Sequence, residues 1–124
     1  MLTLNVQNLG GVTILRCQGR IVTGDESTIL RSTALAQTDN STLVLDLAQV
    51  AGIDAGGLGA LLDLQTWTRS KGIRFKFANV PSSVQHLLEV TKLEGVFEIC
   101  SQKELDDLLH RAADKATVAG TVPR

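Results

Sequence analysis

Leu2, Leu4 and Val6 alternate with Thr3, Asn5 and Gln7, Gly10-Gly11 interrupts the pattern, and an extended, β-branched run resumes from Val12 to Cys17. A period of two on either side of a glycine pair predicts a hairpin. Thr23 with Glu26 has the spacing of a capping box and predicts a helix over Ser27 to Gln37, closed by a turn at Asp39-Asn40-Ser41. Thr42 to Leu47 is short and apolar except at Asp46, which suits a central strand covered on both sides. A loop is expected from Ala48 to Gly57. Leu58, Leu61, Leu62 and Leu64 then recur at helical spacing as far as Lys71, and Gly72 stops that helix.

Ile73, Phe75 and Phe77 alternate with Arg74, Lys76 and Ala78, as in a strand near an edge of the sheet. Ser82 with Gln85 reads as a second capping box, and Val84, Leu87, Leu88 and Thr91 form an apolar stripe running to a stop at Gly95. Val96 to Ile99 supplies a brief last strand. Ser101 with Glu104 caps a final helix whose apolar face holds Leu105, Leu108, Leu109 and Ala112. The resulting order, β-β-α-β-α-β-α-β-α, implies an α/β fold: a mixed sheet of about five strands, parallel at its centre, with about four helices packed against it. One domain is expected over residues 1–115, with a frayed tail at 116–124.

Composition narrows the function. Twelve Lys and Arg against thirteen Asp and Glu leave a net charge of −1, too little positive charge to neutralise a phosphate backbone, so nucleic acid is not an expected partner. No apolar run approaches the roughly 20 residues of a bilayer span, and the start lacks a basic stretch followed by a long apolar one; direct membrane insertion and export are not expected, and a cytoplasmic location is. Cys17 and Cys100 lack C-x-x-C spacing and read as reduced, strand-associated core thiols. His86 and His110 stand alone on helical segments and read as surface residues, so neither metal nor cofactor is expected. Paired carboxylates on one face and Ser/His/Asp or Cys/His sets are absent, which argues against an enzyme.

The stretch from Val50 to Gly59 concentrates glycine where a strand hands over to a helix. Such a junction presents free backbone amides and a partial positive charge, and glycine permits close approach. A nucleotide fits poorly: Gly56-Gly57-Leu58-Gly59 is not G-x-G-x-x-G, and no Lys-Ser or Lys-Thr pair follows. A tight turn and close helix packing would account for the glycines without any ligand.

Taken with its context, this stretch resembles the STAS family, whose pattern is a strand, a short loop, then aspartate, serine, serine or a small residue, glycine, leucine, glycine and a leucine-rich helix. Here it reads Ile53-Asp54-Ala55-Gly56-Gly57-Leu58-Gly59-Ala60-Leu61-Leu62, and the likeness extends to Gly19-Arg20-Ile21, Gly72-Ile73, Val84 to Leu88 and Leu93 to Phe97. The resemblance implies a protein-binding domain of the anti-sigma-factor antagonist (anti-anti-sigma factor) type. Its partner would be an anti-sigma factor or a similar serine-kinase-like switch protein, which phosphorylates the serine after the aspartate to break the complex. Ala55 stands at that position and Gly56 follows it, so neither side chain can accept a phosphoryl group. A constitutive binder is implied, contacting its partner through Asp25, Asp54, Ala55, Gly56, Gly57 and Leu58. The alternative is a stand-alone STAS subunit of a lipid-trafficking ABC transporter or a signalling scaffold, with an ABC ATPase as partner. Asp54 suits a helix cap as well as a partner contact, and Asp25 a solvated charge as well as a place on the same rim. Trp67 suits packing on its own domain or a binding anchor, and Ser82 and Ser83 are alternative acceptors in principle.

Overall fold

The computed structural model describes residues 2–37 and 41–121, and for 115–121 the backbone alone. Its elements are β1 (Leu2–Leu9), β2 (Val12–Ile21), α1 (Asp25–Leu35), β3 (Thr42–Ile53), α2 (Ala55–Ser70), β4 (Arg74–Ala78), α3 (Ser82–Val90), β5 (Glu98–Cys100) and α4 (Gln102–Thr121). The five strands lie side by side in chain order. β1 and β2 are antiparallel, joined by Gly10 and Gly11 at φ 54° and 86°, a turn open only to residues that tolerate positive φ at both central positions. β2 to β5 run parallel, so the mixed sheet with four helices expected from the alternating pattern is the fold found.

Three parallel crossovers that all step the same way across a sheet, each right-handed, place their helices on one face. Side-chain burial follows that rule. Leu15, Leu43, Leu45 and Leu47 point into one core with Leu30 of α1, Leu61 and Leu64 of α2 and Leu88 of α3. The alternate residues Val12, Ile14 and Val44 point to the other face, where Leu105 and Ala112 of α4 cover them. Gly10 sits under α4 so closely that a Cβ there would lie 2.1 Å from the Ala112 carbonyl oxygen. Cys17 and Cys100 are free and buried, on β2 and β5.

Four local expectations are corrected. α1 starts at Asp25 behind Gly24, with no side-chain cap, because the Thr23 hydroxyl is engaged elsewhere; the Thr23–Glu26 box does not form. Ser82 is the first residue of α3 behind Pro81, whose carbonyl accepts the Gln85 amide, so the second box is absent as well. α3 ends at Val90, not at Gly95: Lys92 takes φ 59° and the Leu93 amide reaches back to the Leu88 carbonyl, a Schellman closure. Most of the expected 48–57 loop is strand, since β3 continues to Ile53 alongside β2. The Ser101–Glu104 box forms reciprocally, at 3.0 and 3.1 Å. Asp39 and Asn40 of the expected turn lie outside the described residues, as do the side chains of 115–121 and all of 122–124, where the tail was expected.

Candidate functional site

Because β2 and β3 are parallel neighbours, their carboxyl ends deliver Thr23 and Asp54 to the same edge of the domain. Asp54 is the only residue between β3 and α2 and caps that helix: its Oδ1 accepts from the Gly57 amide at 2.8 Å, and its carbonyl accepts from Leu58 at 2.8 Å. The same carboxylate accepts from the Thr23 amide, with both oxygens at 3.0 Å, and from the Thr23 hydroxyl at 3.1 Å. The Asp54 amide in turn donates to the Ile21 carbonyl. One side chain therefore caps α2 and ties down the loop that leads into α1. These donors, Thr23 first and Gly57 next, hold the Asp54 carboxyl below the usual carboxylate range.

The glycines are set by the same closure. A Cβ on Gly57 would lie 1.9 Å from the Ile21 carbonyl oxygen, and one on Gly56 1.9 Å from the Thr23 hydroxyl oxygen. Gly59 and its surroundings are different, because nothing lies within 4 Å of a Cβ there. Two of the three glycines are thus required by close approach, and the Thr23 side chain fills the space that a residue at position 56 would claim.

Of the residues singled out from the sequence, Asp25, Asp54 and Ala55 are exposed, and Gly56 is half-buried. Ala55 is the first residue of α2, so its methyl group stands at the outer rim of the corner. Gly57 and Leu58 are buried and shape the corner from beneath. Trp67 is half-buried and packs on the main core, and His86 and His110 are exposed. Ser82 and Ser83 are exposed at the start of α3.

Sequence reasoning missed a groove beside this corner. It runs between the end of β3 and α3, lined by Ala51, Ile53, Val84, His86, Leu87 and Val90. Val90 is 61% exposed. The signal was present in the sequence: Val90 is a large apolar residue off the Val84, Leu87, Leu88 stripe, on a face where a soluble helix is normally polar. Among the described residues there is no cluster of three His, Cys, Asp or Glu side chains that could hold a metal ion, and no helix long and apolar enough to cross a membrane.

Solved structures share this architecture. An anti-sigma factor antagonist from Mycobacterium paratuberculosis is 22% identical, with 90% of this chain and 94% of that one aligned at a TM-score of 0.68. A putative antagonist from Thermotoga maritima is 17% identical, over 87% and 95% of the two chains, at 0.73. The antagonist SpoIIAA in its unphosphorylated form is 12% identical, over 88% and 97%, at 0.71. These likenesses establish the fold. The STAS domain family model matches residues 3–105, which takes in the hairpin, the Asp54 corner and the start of α4, and the chain belongs to the STAS domain family.

Proposed function

We propose that the chain is a non-enzymatic protein-binding regulator, an anti-sigma-factor antagonist that holds its partner at the Asp54 corner without a phosphorylation switch. The observation that carries this reading is Ala55: an exposed methyl group at the first position of α2, where the family pattern has serine, inside a corner otherwise fully built by Asp54 and Thr23. Phosphorylation there would add a charge of about −1.5 to −2 next to Asp54, repelling an apolar or acidic partner. A methyl group leaves the corner permanently in the unphosphorylated form. Asp25, Ala55 and Gly56 supply the contact surface, Asp54 fixes its shape, and Gly57 and Leu58 support it from within. The apolar groove that starts at Ile53 extends the surface toward α3. Structural likeness to anti-sigma factor antagonists supports the choice of partner class.

A pull-down from the source organism, with mass spectrometry of the retained proteins, tests the assignment. The expected partner is an anti-sigma factor with a kinase-like fold, and the complex should survive addition of ATP. Retention of an ABC transporter ATPase instead would replace this reading with that of a transporter subunit.

A further inference from the structure

The two edges of the sheet are built differently. β5 has three residues, and Arg74 and Lys76 of β4 ion-pair with its Glu98, so that edge is short and charged. β1 has eight residues, Leu2-Thr3-Leu4-Asn5-Val6-Gln7-Asn8-Leu9, with no charge and no proline, and its register with β2 runs without a bulge. Asn5 to Asn8 are all exposed. Soluble proteins protect sheet edges with short strands, charges, prolines or bulges. β5 uses two of these devices and β1 none.

The geometry points to β1 as a self-association edge, at which two copies of this chain pair β1 with β1 antiparallel to form a continuous ten-stranded sheet. A two-residue turn makes Leu9 and Val12 a hydrogen-bonded pair, so odd-numbered residues of β1 direct their backbone groups to β2 and even-numbered residues direct theirs outward. A two-fold axis normal to the sheet requires facing residues to lie on the same face. The register centred on Asn5 meets both conditions. It places Leu4 of one copy beside Val6 of the other in hydrogen-bonded positions, on the face that carries the main core. It places Asn5 beside Asn5, and Thr3 beside Gln7, on the polar face. At its centre apolar meets apolar and polar meets polar, the outermost pair sets Leu2 beside Asn8, and β1 itself brings no charge to the seam. A second copy is therefore the occupant this edge fits. The Asp54 corner, at the carboxyl end of β2 and β3, stays open in both copies, so the dimer would present two docking surfaces.

Sedimentation over a concentration series should show a monomer–dimer equilibrium. Val6→Pro removes one outward amide without touching the β2 ladder, and Val6→Lys brings two ammonium groups near the axis. Both variants should sediment as monomers with unchanged circular dichroism, the lysine variant serving if proline perturbs β1. Asn5→Cys should cross-link to itself under mild oxidation, because facing Cβ atoms lie about 5 Å apart in such pairs. Thr3→Cys and Gln7→Cys should cross-link when mixed and not alone. A monomer at every concentration overturns the inference. So does a dimer unchanged by both Val6 substitutions, or an Asn5→Cys protein that cross-links no faster than an exposed Glu89→Cys control.

Discussion

The carboxylate of Asp54 lies 3.0 Å from the backbone amide of Thr23, 31 positions earlier in the chain, and the contact joins the carboxyl ends of two parallel strands into one corner. The same carboxylate caps α2 through Gly57, so the position of Ala55 depends on Thr23 as well as on its own helix. Removing the carboxylate with Asp54→Ala should lower Tm and raise amide exchange at both Thr23 and Gly57. Exchange raised at Gly57 alone would mean that the two loops are not coupled through this side chain.

Acid should act on the same contact. Because the folded Asp54 carboxyl titrates below its unfolded value, its contribution is complete above the unfolded value of about 3.9 and is lost as pH falls through the folded one. Asp54→Asn should therefore flatten the fall of stability across that acid range, as followed by denaturant unfolding at stepped pH. A variant with the wild-type acid profile would place the titrating group elsewhere.

The three glycines of the corner should separate by substitution to alanine. Gly57→Ala forces a Cβ against the Ile21 carbonyl oxygen and should cost about 3 kcal/mol, since backbone cannot swing aside. Gly56→Ala meets the Thr23 side chain, should cost less, and should be partly rescued by Thr23→Gly. Gly59→Ala has open space inside α2 and should stabilise by about 0.5–1 kcal/mol. Equal effects at all three positions, measured by urea denaturation, would contradict the close approaches.

Thiol chemistry reports on the core. Burial pushes Cys17 up to about 12, and burial also raises Cys100. Neither thiol should react with a disulfide reagent at pH 8 in the native protein, and both should react on unfolding in denaturant. Rapid native labelling of Cys17 would show that β2 is open to solvent.

Much of the fold was legible because periodicity is local. The Gly10-Gly11 hairpin, the Phe75, Phe77 strand and the Ser101–Glu104 box each rest on residues a few positions apart, and each forms as the pattern implies. What was not legible depends on distant partners. Thr23 and Glu26 have capping-box spacing, yet Thr23 is drawn to Asp54, a competitor that only the parallel alignment of β2 and β3 brings near. Ser82 loses the cap position to Pro81, one residue earlier, and Lys92 adopts the left-handed turn that Gly95 was expected to take. At the corner, the motif identified Asp54 and Ala55, whereas Thr23 is brought there by packing; the groove left a trace in the sequence, Val90 off the apolar stripe, but its other wall, the end of β3, is supplied by the fold.

Restoring the hydroxyl should restore the switch. Ala55→Ser, incubated with the partner kinase and ATP, should gain one phosphate at residue 55 and release the partner, while the unaltered chain gains none on this corner. Phosphate on the unaltered corner would contradict a permanently unmarked surface.

The most direct measurement is calorimetric titration of the purified partner with the unaltered chain and with Ala55→Glu. A carboxylate at the rim of the corner should weaken binding by at least about 30-fold, roughly 2 kcal/mol, through repulsion and desolvation at the contact. Equal affinity for the two proteins, with Ala55→Glu folded, would place the docking surface somewhere other than the junction of β3 and α2.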